Sequence, residues 1–210
     1  VLRGLYGTST RGTEFSAKLN HQPGAQSLVS NNDSINVRFA FSRGRVRGEV
    51  QGPDNSADAS AQGGSLTTDH SLVTNWMRIV TPTVVNDLRV QIGSRRMELV
   101  PNSQGAMLEI PGVATLGEFW RLDSTRAERH FQLVDQLNFT AGRHRFSAGV
   151  DAHLVTFDGE LRNRFGGVFS FASLADFAAA RPSLWVQAFG DPRTQMNTLP
   201  AGVWIQDRWE

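Results

Sequence analysis

The sequence predicts an all-β chain: an antiparallel, up-and-down transmembrane β-barrel segment of roughly seven or eight strands, with long loops and one short loop helix. Three observations lead there. Apolar residues recur with period two in several separate segments. The connections between those segments alternate between long and tight. No stretch approaches the ~18 consecutive apolar residues of a membrane-spanning helix, whereas barrel strands cross a membrane with an unremarkable mean hydropathy.

Ser34 to Arg43 is the clearest strand, with Ile35, Val37, Phe39 and Phe41 on one face and Ser34, Asn36, Arg38 and Ser42 on the other. From Val84 to Arg95, Leu88, Val90 and Ile92 oppose Asp87, Arg89, Gln91 and Arg95. From Arg129 to Thr140, Phe131, Leu133, Leu137 and Phe139 oppose Gln132, Gln136 and Asn138, with Asp135 breaking the apolar face. From His144 to Phe157, Phe146, Ala148, Val150, Ala152 and Leu154 oppose Ser147, Asp151 and His153. Thr13 to Gln22, His70 to Val80 and Gly202 to Trp209 carry weaker alternation.

Thr81-Pro82-Thr83 and Ala141-Gly142-Arg143 read as tight hairpin links. Gly44 to Asp69, Pro101 to Ala127 and Asp158 to Pro200 read as long loops, which a compact soluble domain seldom carries. Short turns on one side and long loops on the other are the asymmetry of an outer-membrane barrel. Inside the third loop, Ser173 caps a helix predicted to run to Arg181. Asp176 completes a capping box, four alanines favour the helix and Pro182 stops it. Gly167 to Phe171 alternates as a short loop strand. Leu174 and Phe177 give the helix an apolar side that needs something to pack against, making it a candidate element to close over a barrel lumen.

If the apolar face meets lipid, the opposite face is wet. The expected lumen-facing residues are then Arg38, Arg89, Gln91, Arg95, Gln132, Gln136, Asp151 and His153. Individually, these groups either contact a hydrophilic solute or simply solvate the interior. Arg43, Arg45 and Arg47 alternate as well, as a basic rim for anionic headgroups or an anionic solute, or as an ordinary solvated strand end. Trp76, Trp120, Trp185, Trp204 and Trp209, with Phe139 and Phe146, suit aromatic girdles at the membrane interfaces.

Other chemistry is not signalled. Among 210 residues there is no cysteine, which removes disulfides, thiolate metal sites and thiol nucleophiles together. Twenty-one basic against 20 acidic residues give no electrostatic reason for nucleic-acid binding. The five histidines lack metal-ligand spacing, no phosphate loop or nucleophile elbow appears, and Asp54 to Asp58 only faintly follows a calcium loop. We expect no catalytic residue, cofactor or metal. The chain starts at Val1 and stops within a strand at Trp209-Glu210, as a fragment would.

Several strings resemble the barrel of TonB-dependent outer-membrane receptors, particularly the Oar-like group bearing a carboxypeptidase-regulatory-like domain. They are Asp69-His-Ser-Leu-Val-Thr-Asn-Trp76, Thr81-Pro-Thr-Val-Val-Asn-Asp-Leu-Arg89, Ile110-Pro-Gly-Val113, Phe131-Gln-Leu-Val-Asp-Gln-Leu-Asn-Phe-Thr-Ala-Gly-Arg-His144 and Ser147-Ala-Gly-Val-Asp151. Phe169-Ser-Phe-Ala-Ser-Leu-Ala-Asp-Phe177, Pro182, Phe189-Gly-Asp-Pro192 and Gln206-Asp-Arg-Trp209 continue the series in the family's order. The resemblance implies a barrel of about 22 strands around an N-terminal plug, of which residues 1–210 form one partial barrel domain. Plug, N-terminal domain and energy-coupling box would precede Val1. It also implies a bacterial outer-membrane location and contact with outer-membrane lipid. The implied activity is uptake of a scarce, here unknown, solute, driven by an inner-membrane energy-coupling complex reached through the missing N-terminal part. The alternative is a structural or adhesive outer-membrane barrel without transport. A soluble β-sandwich or carbohydrate-binding module comes third, and an enzyme last.

Overall fold

The computed structural model describes residues 7–22, 32–50, 57–118 and 124–209. Its main element is one open antiparallel sheet. The strands, in chain order, are β1 (Ser9–His21), β2 (Asp33–Val50), β3 (Gln62–Thr81), β4 (Val84–Pro101), β7 (Ser124–Ala141) and β8 (His144–Leu161). They pair in that order, each antiparallel to the last. The last strand is broken in two. β11 (Arg193–Thr198) pairs the far end of β8, and β12 (Ala201–Trp209) pairs its near end. Pro200 lies in the break, where it has no N–H to donate, but its carbonyl still accepts from the His153 N–H at 2.9 Å. Residues 193–198 are therefore strand, although their sequence reads as part of the third loop.

The strands are longer than the alternation predicts. β2, β3, β4, β7 and β8 run 18 to 20 residues each, whereas about 9–11 tilted residues cross a bilayer. Nearly all the extra length is at one end, so the long connections shrink to 51–61, 102–123 and 162–192. Beyond the membrane both faces of a strand are wet, and Gly, Ser, Thr and Arg there satisfy the backbone ladder without an apolar face. That is why 44–50 and 62–69 read as loop.

Those three connections leave the sheet at one end, and the 82–83 and 142–143 turns lie at the other. The link from His21 to Asp33 also lies at the turn end, an exception to the short-turn rule. Gly142 takes φ +61 in its turn, a conformation that needs glycine.

Register puts directly paired residues on one face. Ile35, Val37, Phe39, Leu88, Val90, Ile92, Leu133, Leu137, Val150 and Leu154 all fall together, joined by Leu19, Leu72 and Val203. Among the described residues nothing covers this face, and Ile92, Phe131 and Leu154 are exposed. On β7 the band runs from Phe131 to Phe139, ~27 Å along the strand at ~3.4 Å per residue, or ~21 Å of depth at a tilt of ~40°. That is close to the ~25 Å apolar band of outer-membrane barrels.

The buried apolar core lies elsewhere, among the long connections. β5 (Met107–Ile110), β6 (Ala114–Leu116), β9 (Val168–Ser170) and β10 (Leu184–Val186) form a second, four-stranded sheet in the order β10-β9-β5-β6. Met107, Ile110, Val168 and Phe171 are buried there. A 3₁₀ turn at Ala59–Ala61 is tied to it: the Asp58 N–H donates to Thr115 O at 2.9 Å and the Gly117 N–H to Ser60 Oγ at 2.9 Å. Three long connections thus build one cap.

The loop helix α1 (Leu174–Ala178) is shorter than predicted. Ser173 caps it as expected: its Oγ accepts from the Asp176 N–H at 3.1 Å and donates to the Asp176 carboxylate at 2.6 Å. Ala180, at φ +51, ends the helix before Pro182 is reached.

Candidate functional site: the polar face of the sheet

The same register gathers all eight expected lumen-facing residues onto the face opposite the apolar band. Arg38 pairs with Val73, Val73 with Gln91, Gln91 with Gln132 and Gln132 with His153. Arg89, Arg95, Gln136 and Asp151 occupy neighbouring rungs of that face. Strand geometry alone therefore brings eight side chains from β2, β4, β7 and β8 together.

Most are tied into short hydrogen-bonded chains. Asn75 Nδ2 donates to Asp87 at 2.6 Å, and Arg89 grips the same carboxylate with Nε at 3.0 Å and Nη2 at 3.2 Å. Arg95 lies 3.6 Å from Asp69, which also accepts from Ser42 Oγ at 3.3 Å. Gln132 Nε2 donates to both Asp151 oxygens at 2.9 and 3.1 Å. Gln136 Nε2 donates to Asn138 at 3.0 Å and Ser147 at 3.0 Å. His153 Nε2 is 3.3 Å from Nδ1 of His130, whose other nitrogen is 3.5 Å from Glu128. Arg38 is exposed, with no ion pair to a described carboxylate. Exposed ion pairs of this kind stabilise little, so the face is a hydrated surface with donors and acceptors fixed in place.

The register also puts Asp69, Asn75, Asp87 and His130 on this face, where the alternation could not show which of them bond the chosen eight. Partners such as Asp69 come from the part of β3 whose sequence looks like loop. Among the described residues no group of three or more His, Asp or Glu is arranged to hold a metal.

The aromatic residues divide three ways. Phe139 stacks on Phe146 at 4.7 Å and His144 on Trp209 at 6.3 Å, all on the apolar face beside the tight turns, as an interfacial girdle would be. Trp76 lies on that face within the sheet. Trp204 is on the polar face, with its indole filling the space left by Gly149. Trp185 belongs to the cap, stacked on Phe169 at 6.1 Å. Trp120 and residues 54–56 of the faint calcium-loop pattern lie outside the described residues.

The cap reaches the polar face through Leu99. That side chain shares the face of Arg95 and packs on buried Met107 and Val168. In the loop helix, Phe177 meets Phe171 edge-on at 5.2 Å, whereas Leu174 is 59% exposed.

The apolar face has polar interruptions. Asn86 Nδ2 donates to Asp135 at 2.7 Å, and Arg78 is 3.7 Å from buried Asp33. Lipid offers a stranded carboxylate no replacement partner. Asn86→Leu should therefore lower stability in bilayers by about 1–3 kcal/mol, and Asp135→Leu should be neutral or stabilising. Denaturant unfolding in vesicles measures both; equal losses would remove Asp135 from the lipid face.

A family model described as an outer membrane beta barrel domain matches residues 6–210. No curated protein and no solved structure matches the chain. With an antiparallel meander, an uncovered apolar band of membrane depth and a wet opposite face already in view, the conclusion is direct: this chain belongs to the outer membrane β-barrel domain family and resides in the bacterial outer membrane.

Proposed function

We propose that the chain is part of the barrel of a TonB-dependent receptor, which takes up a scarce solute through the outer membrane with energy supplied by an inner-membrane complex. Residues 1–210 then form one partial barrel domain whose plug and coupling segment belong to the rest of the protein. The polar face lines the lumen, with Arg38, Arg89, Gln91, Arg95, Gln132, Gln136, Asp151 and His153 on its wall. No covalent chemistry, cofactor or metal is needed for this role.

One observation carries the reading: the cap packs against the polar face, where Leu99 enters its core. A cap over the lumen mouth suits a gated importer. The hydrogen-bonded polar wall suits a hydrophilic passenger or a hydrated plug. The order of the family-like strings along β3, β4, β7, β8 and the cap supports the same assignment.

The test uses the full-length protein in cells deprived of a panel of scarce solutes: iron chelates, cobalamin and glycans. Deleting the gene should abolish growth on at least one solute, and dissipating the proton-motive force should abolish its uptake. Removing residues 162–192 should impair uptake at least tenfold while the barrel still assembles. Energy-independent growth on every solute would overturn the reading. Loss of surface adhesion in that case would favour the structural or adhesive barrel.

A further inference from the structure

Above the apolar band, on the same outward face, five arginines have no acidic partner among the described residues. Arg43, Arg45 and Arg47 project from β2 at every second residue, and Arg11 of β1 pairs directly with Arg45. Arg129 takes the first outward position past the band on β7, as Arg43 does on β2. All five are exposed, and none makes an ion pair with a described carboxylate. Arg96 lies on the same face but is neutralised by Glu98 at 2.7 Å. Two arginines directly opposite each other destabilise a sheet unless an anion bridges them.

Directly below Arg129 the face is hollow. A groove of about 430 Å³ has Phe39, Leu72, Ile92, Phe131 and Leu154 as its floor, with His70 and Arg129 at its upper edge. Small Ser94 and Thr156 stand between the larger side chains there and leave the space open. Apolar floor and cationic upper edge match one kind of molecule, with acyl chains below and phosphates above.

We propose that this face binds an acylated, phosphorylated glycolipid of the outer leaflet. Its phosphates lie against Arg11, Arg43, Arg45 and Arg47, with Arg129 as a further contact, and an acyl chain lies in the Phe131 groove. Guanidinium forks suit phosphate oxygens, and the interface lowers the dielectric around them. The long connections then face the cell exterior, as the uptake reading also requires. Transport itself is not needed: a barrel that carries nothing would still hold this lipid.

Native mass spectrometry of the full-length protein in detergent tests the site with three probes. These are a doubly phosphorylated acylated glucosamine disaccharide, the same lipid without phosphates, and inorganic phosphate. The phosphorylated lipid should bind about tenfold or more tightly than its dephosphorylated form, and the difference should shrink as salt rises. Arg11→Gln/Arg43→Gln/Arg45→Gln/Arg47→Gln should lose that preference, and the four-lysine counterpart should keep most of it. Heat-dependent gel mobility shows whether each variant is folded, and the comparison of lipids on the unmodified protein needs no variant. Equal binding of the two lipids would overturn the proposal. So would displacement of the lipid by inorganic phosphate at comparable concentration, or a preference unchanged in the glutamine variant.

Discussion

Leu133→Arg should cost about 2–4 kcal/mol of stability in a bilayer, while Gln132→Arg, one residue away, should cost under ~1 kcal/mol. Leu133 pairs with Val90 and Ala152 inside the apolar band, where an added guanidinium would enter hydrocarbon. Gln132 is on the opposite face beside Asp151, at 2.9 Å, so an arginine there gains a carboxylate. Urea unfolding of the protein in vesicles measures both. Similar costs for the two substitutions would mean that neither face meets lipid. The same pair compared in detergent should differ less, since micelles tolerate a snorkelling charge better than a bilayer does.

The second large effect is expected at Gly149. A Cβ there would meet the Trp204 ring on one side and the Asp135 carbonyl oxygen, at 2.6 Å, on the other. The ring can turn away, but the carbonyl is part of the β7–β8 ladder and can shift only by stretching it. Gly149→Ala should therefore cost about 1–3 kcal/mol, and Gly149→Val more. Adding Trp204→Ala to Gly149→Ala should recover part of the loss and never all of it, which a double-mutant cycle reads as a coupling. Full recovery would show that only the indole fills the site, and additivity would show that Trp204 does not lie over Gly149.

The sidedness of the sheet was legible because one face must be apolar wherever lipid or core covers it, and a period of two then shows in the letters. Ile35 to Phe41 and Phe131 to Phe139 are read correctly for that reason, and Asp135 stands out as an exception whose partner, Asn86, only the register supplies. Residues 44–50, 62–69 and 193–198 were illegible as strand because water on both faces removes the alternation while the backbone ladder persists. The cap was nearly invisible. Its core brings Met107 and Val168 together, and the pairing of β5 with β9 is parallel and spans some 60 residues, which no local pattern encodes. Only the capping box of Ser173 and the alternation before it were local enough to read. Among the aromatics, Trp204 and Trp185 went astray because amphipathic rings suit a girdle, a slot over glycine or a cap core equally well.

Sidedness is the claim on which the lumen, the lipid site and the location of the cap all depend, and a nitroxide scan along β7 measures it most directly. Single cysteines from Phe131 to Asn138, spin-labelled in the protein reconstituted in vesicles, would be compared for access to oxygen and to a water-soluble nickel chelate. The account predicts a strict period of two. Labels at 131, 133 and 137 should favour oxygen, and labels at 132, 134, 136 and 138 should favour the chelate or be shielded from both. A phase shifted by one residue, or accessibility without any period, would contradict it.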